Sequence, residues 1–91
     1  MHVKLMAEYD CHFPIWIDSE EMTSASIEDA ALRHRIERWN SLFLRFFDAD
    51  AGWSDEAVRR AYVDEGRRLH SALEHHFGAT ADVTYDDWPV H

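Results

Sequence analysis

Leu32, Ile36, Trp39, Phe43 and Phe46 recur at spacings of four, three, four and three. That period sets five large apolar side chains along one stripe of an α-helix, and such a stripe is stable only when another layer covers it. With 91 residues in all, the chain is below the size at which chains usually divide, so stripe and cover are expected in a single domain, 1–91. The predicted helix runs over 26–48. Ser26 stands where a hydroxyl caps free N–H groups, and Glu28 and Asp29 oppose the positive end of the helix dipole. Near its end Leu42, Leu44 and Phe47 widen the apolar arc. Either a second element packs there or part of the surface is an interface.

A second helix is predicted over 54–77, after a short turn at Asp48-Ala49-Asp50-Ala51-Gly52-Trp53. Ser54, Asp55 and Glu56 mark its start, and Gly78 is placed as its C-cap. Val58, Tyr62, Leu69, Leu73 and Phe77 form its inner face, interrupted by Glu65 and Gly66. A glycine costs about 1 kcal/mol against alanine inside a helix, so its presence suggests close packing. Val3, Leu5, Ala7 and Tyr9 alternate with Lys4, Met6 and Glu8, and Ala81, Val83 and Tyr85 alternate with Asp82, Thr84 and Asp86. Both runs read as half-buried strands, 2–9 and 81–88. Residues 10–25 lack a clean period and read as a long connection, anchored at Phe13-Pro14-Ile15-Trp16-Ile17 and exposed over 18–24. The expected fold is α+β: two long antiparallel helices on one face of a small antiparallel sheet of the terminal strands. Two strands alone are marginal, so dimerisation or helix packing must complete the sheet.

Nine basic residues against eighteen acidic ones give a net charge of −9, which disfavours nucleic acid and anionic membrane surfaces as partners. A basic protein surface is the electrostatically natural partner. Seven histidines bear on this: protonating all of them would bring −9 to −2, around the ordinary histidine pKa near 6.5. Eight of the nine basic residues are arginines between Arg33 and Arg68. Three have acids four residues earlier, predicting the pairs Asp29–Arg33, Glu56–Arg60 and Asp64–Arg68. The surplus acids gather at element ends. No apolar run suits a membrane span or a leader, and a lone Cys11 fits a reducing, cytoplasmic setting.

The start Val3-Lys4-Leu5-Met6-Ala7-Glu8-Tyr9, the Cys11, Pro14 and Trp16 behind it, and the run Glu65-Gly66-Arg67-Arg68-Leu69 are together similar to small, acidic, uncharacterised proteins of high-GC Gram-positive bacteria. The resemblance implies a bacterial cytoplasmic protein. It carries no activity and no site residue.

Two clusters are candidates for chemistry. The topology above would collect Asp10, Cys11 and His12 with His75 and His76, within reach of His34. Cys11, His12 and His76 are thus weak candidates for a metal or an activated thiol, set against the commoner buried, inert cysteine. No motif of matched metal spacing supports them, and no catalytic residue or cofactor is assigned. His70 and Glu74 read as a surface pair; Glu65 reads as a group that pairs with an arginine or hydrogen-bonds to Tyr or Trp across the helices, set against an acid–base carboxylate of raised pKa in a pocket. Asp48-x-Asp50 fails as a calcium loop, because position six is Trp53 and position twelve is Arg59. The opposite end would gather Asp48, Asp50, Asp86 and Asp87 around Trp53 and Trp88. Aromatics framed by carboxylates suit a basic protein surface, the rings anchoring and the charges steering. The leading reading is therefore an acidic protein-binding module with an inhibitory, immunity-like or nucleic-acid-mimic role. A small metal- or thiol-dependent enzyme and a structural homodimer subunit are the alternatives.

Overall fold

A computed structural model describes residues 1–9, 13–18, 20–21 and 27–90. The chain forms β1 (His2–Leu5), β2 (Ile15–Ile17), β3 (Glu20–Glu21), α1 (Ala30–Phe46), β4 (Phe47–Asp48), β5 (Gly52–Trp53), α2 (Glu56–Phe77) and β6 (Asp82–Tyr85). This is an α+β arrangement of two helices with one four-stranded and one two-stranded sheet.

Both helices begin on an aspartate. The Asp29 carboxylate accepts the Leu32 N–H at 3.1 Å, so α1 starts four residues later than the sequence suggested; Ser26 lies outside the described residues. The Asp55 carboxylate accepts from the amides of Ala57 and Val58, so α2 starts at Glu56 rather than at Ser54. Phe47 turns extended and ends α1. It opens a hairpin, β4–β5, in which Phe47 faces Trp53 and Asp48 faces Gly52. Gly52 has φ +78°, the left-handed position at which such a three-residue loop favours glycine. Gly78 closes α2 through its N–H to the Glu74 carbonyl.

The larger sheet has the order β3-β2-β1-β6. Residues 10–25, expected to be connection, contribute β2 and β3, and β1 ends at Leu5 rather than residue 9. β1 pairs antiparallel with β2 but parallel with β6, Val3 beside Val83 and Leu5 beside Tyr85. The expected antiparallel pairing of the terminal strands is therefore wrong. β2 carries the chain back to the end where β1 began, so α1 starts at that end and runs along β1. Asp29 and Leu32 there share a groove with His75 and His76 of the α2 terminus. α2 then reverses, and β6 starts beside His2. Parallel strands need such a long crossover, and the helices are part of it.

Val3, Leu5, Ile15 and Val83 face the helices and are buried together with Ile27, Leu32, Ile36, Trp39, Phe43, Tyr62, Leu69 and Leu73. The first four stripe residues are thus core, while Phe46 is half-buried under the Arg45 guanidinium, 5.6 Å from its ring centre. Trp39 stacks on Tyr62 across the helices, 4.7 Å between ring centres and 6° from parallel, and its indole N–H donates to the Tyr62 carbonyl at 2.7 Å. Gly66 has the predicted close neighbour. A Cβ there would fall 2.9 Å from Tyr85 Cε1 and nearer still to Cζ and the hydroxyl oxygen.

Of the three predicted ion pairs, only Glu56–Arg60 forms, at 3.7 Å. The Asp29 carboxylate is engaged as a cap, and Arg33 donates instead to the Ile27 carbonyl at 2.7 Å. Asp64 lies 3.8 Å from Arg67, the arginine one residue short of the expected one.

Candidate partner-binding site

The site begins with the hairpin between the helices. It lifts Trp53 back over the core, its ring 4.9 Å from Tyr62 and 5.5 Å from Phe47. The segment after β6 brings Trp88 to the same wall, 5.3 Å from Phe43 and 6.3 Å from Phe47. The Tyr62 hydroxyl fixes it by donating to the Trp88 carbonyl at 2.7 Å. Phe47 thus joins the two tryptophans, and both are half-buried against the core. The Trp53 indole N–H is buried and has no hydrogen-bond partner among the described residues.

Tyr9 is the residue that sequence reasoning missed. Alternation placed it on the buried face with Val3, Leu5 and Ala7, which are fully buried, yet Tyr9 is 40% exposed because β1 has already ended. Its ring lies against Phe43 at 5.1 Å and edge-on to Trp88 at 5.7 Å. Partial desolvation against that wall, then the charges of Asp48, Glu8 and Asp50, raise its hydroxyl above the usual tyrosine range. The charges of Asp48, Glu8 and Asp50 thus act on an exposed aromatic ring. A tyrosine between Glu8 and Asp10 was the available signal.

Asp48 and Asp50 sit at the hairpin tip, both exposed. Asp48 accepts the amides of Asp50 at 2.8 Å and Ala51 at 2.9 Å, and these bonds hold its carboxyl below its ordinary range. Asp86 and Asp87 differ from them. Asp86 accepts the Trp88 amide at 2.9 Å, and Asp87 shares a groove with Arg59, Arg60 and Arg67 of α2. The four aspartates thus divide by exposure: Asp48 and Asp50 are exposed at the hairpin, and Asp86 and Asp87 are half-buried along the Trp88 segment.

Cys11 and His12 lie outside the described residues. Their neighbour Tyr9 packs against Phe43 and Phe47 near the end of α1, whereas His76 lies with Asp29 and Leu32 at its start. On α1, Leu32 and Phe43 are eleven residues apart, about 16 Å at 1.5 Å per residue. Among the described residues no three His, Cys, Asp or Glu side chains gather to hold a metal. Glu65 takes Arg35 of α1 as its partner at 2.9 Å, as expected. His70 stands 3.9 Å from Glu74, and its Nε2 also meets the Val83 carbonyl of β6 at 2.9 Å.

An α+β chain with an acidic, aromatic end fits a protein-binding module. The sequence matches the family described as Serratia CdiI immunity protein-like over residues 1–88, and the chain belongs to that family. Membership implies a protein partner. No curated protein matches the chain. No helix among the described residues is long and apolar enough to cross a membrane.

Proposed function

We propose that this protein is a cytoplasmic immunity module that inhibits a toxin by docking on a basic surface of it. The end built from Tyr9, Glu8, Asp48, Asp50 and Trp88 makes the contact. The observation that carries the reading is the exposed Tyr9 ring, backed by Phe43 and Trp88 and acted on by the charges of Asp48, Glu8 and Asp50. A rigid aromatic face ringed by carboxylates suits a lysine or arginine side chain, by cation–π attraction at the ring and charge pairing at the rim. Trp53 supports this surface from within, its indole N–H turned into the protein. Asp86 shapes the Trp88 segment through the Trp88 amide, and Asp87 shares a groove with arginines of α2.

Native mass spectrometry of the untagged protein, purified at low salt from its own host, identifies the partner. Asp48→Asn and Asp50→Asn together then test the surface, since asparagine keeps the Asp48 acceptor that holds the turn. The double variant is expected to bind the partner about ten-fold more weakly at low salt, with a shallower salt dependence. Unchanged affinity and salt dependence would remove this end from the interface.

A further inference from the structure

The net charge of −9 hides a cationic groove. Arg35, Arg38 and Leu42 of α1 face Ala61, Asp64 and Arg68 of α2 across an open furrow of about 500 Å³. Trp39 and Glu65 also line it; Trp39 is buried and Leu42 half-buried, so the groove has an apolar floor and an arginine rim.

Acids outnumber bases two to one in this chain, yet they do not neutralise the rim. Glu65 is engaged by Arg35, and the nearest cation to Asp64 is Arg67. Arg38 and Arg68 have no ion pair among the described residues and are exposed. The residues one turn from Arg38 offer it no acid: His34, Arg35, Ser41 and Leu42. Arg35 is already relieved by Glu65, which leaves Arg38 and Arg68 as the two rim cations whose charge is open to an outside carboxylate.

We propose that this groove is a second docking surface, which takes an acidic segment of a partner protein. Carboxylates of the segment pair with Arg38 and Arg68, and an apolar side chain rests on Leu42. Guanidinium groups suit this use because they present paired donors to a carboxylate and are only weakly hydrated. The proposal goes beyond the acidic end, since it concerns another face and the opposite charge. A partner that touches both surfaces would have to present a basic patch and an acidic segment together, which makes the match more selective than charge of one sign.

The test uses the whole protein and a fluorescein-labelled peptide of alternating glutamate and leucine, followed by anisotropy at low ionic strength. Wild type is expected to bind the peptide, and Arg38→Gln with Arg68→Gln to weaken binding by about ten-fold. Arg45→Gln with Arg60→Gln makes the same change in net charge away from the groove and is expected to alter binding by less than about two-fold. The side chains of Arg38 and Arg68 are exposed, so the groove variant should unfold at the same urea midpoint as wild type. A wild type that does not bind, or equal losses in both double variants, would overturn the proposal. So would displacement of the peptide by equimolar inorganic phosphate, which would make the groove a site for free anions.

Discussion

At the scale of single residues, Gly66 and Tyr85 form the most exacting fit in the molecule. Alanine in place of a helical glycine ordinarily stabilises by about 1 kcal/mol, through a less costly backbone. At this position the added methyl meets the Tyr85 ring, which Trp39 backs edge-on at 6.2 Å. Gly66→Ala is therefore expected to lose about 1–3 kcal/mol in urea unfolding. Tyr85→Leu in the same chain should restore part of that loss, and a double-mutant cycle measures the coupling. The Tyr85 hydroxyl is buried without a hydrogen-bond partner among the described residues. Burial, and after it the charge of Asp87, pushes its pKa up to about 12. The folded protein thus holds its proton more tightly than the unfolded chain, whose tyrosines ionise near pH 10. The neutral Tyr85 costs nothing extra below that pH, and stability falls as pH rises from about 10 towards 12. Tyr85→Phe is expected to lack this part of the alkaline decline. Urea midpoints of the two proteins that keep the same separation at about pH 9 and pH 11 would contradict the assignment.

At the scale of elements, the β4–β5 hairpin depends on one carboxylate. Asp48 accepts two amides of its own turn, Ala51 first in effect and Asp50 second, and its pKa is lowered in consequence. A group whose folded pKa is depressed stabilises above its unfolded pKa, and that support disappears as pH falls through the folded value. Amide protection at Asp50 and Ala51, relative to the unfolded chain at the same pH, is expected to fall below about pH 4, and Asp48→Ala should lose that protection already at neutral pH. Slow exchange in the alanine variant would show that Gly52 and the Phe47–Trp53 contact hold the turn unaided. The helices join differently. Trp39 on Tyr62 and Arg35 on Glu65 keep an antiparallel register, but a partly exposed ion pair is worth at most about 1 kcal/mol. Packing therefore sets the register, and the ion pair accompanies it.

At the scale of the whole molecule, β1 is the strand that joins everything. It is bonded on both edges, to β2 and β6, and its Val3 and Leu5 are fully buried. Hydrogen exchange is expected to be slowest in β1 and around Leu69 of α2, and faster in β3, which has one neighbouring strand and two residues. Protection at β3 equal to that of β1 would mean that the sheet opens as one unit. Charge is organised on the same scale. The arginines lie along the helices, while Glu8, Asp48 and Asp50 meet only where β1 exits beside the hairpin.

Both helices, the buried stripe from Leu32 to Phe43, the closeness at Gly66 and the partner for Glu65 were legible in the residues, because helical period and capping chemistry are local. β2 and β3 were not, since three and two residues show no alternation long enough to read. That omission had a large consequence. One unread return strand reversed the direction of α1 relative to β1, made the terminal strands parallel and brought Tyr9 to the end that holds Trp53, Trp88 and Asp48. Asp64 takes Arg67 and Asp29 caps α1, each within a turn of the residue expected, because several side chains close in sequence can serve each group. Sequence by itself determined which segments are helical and which side chains must be buried. Tertiary structure decided strand direction, and with it which charged and aromatic side chains share a surface, because those neighbours are set by chain reversals that leave no periodic trace in so few residues.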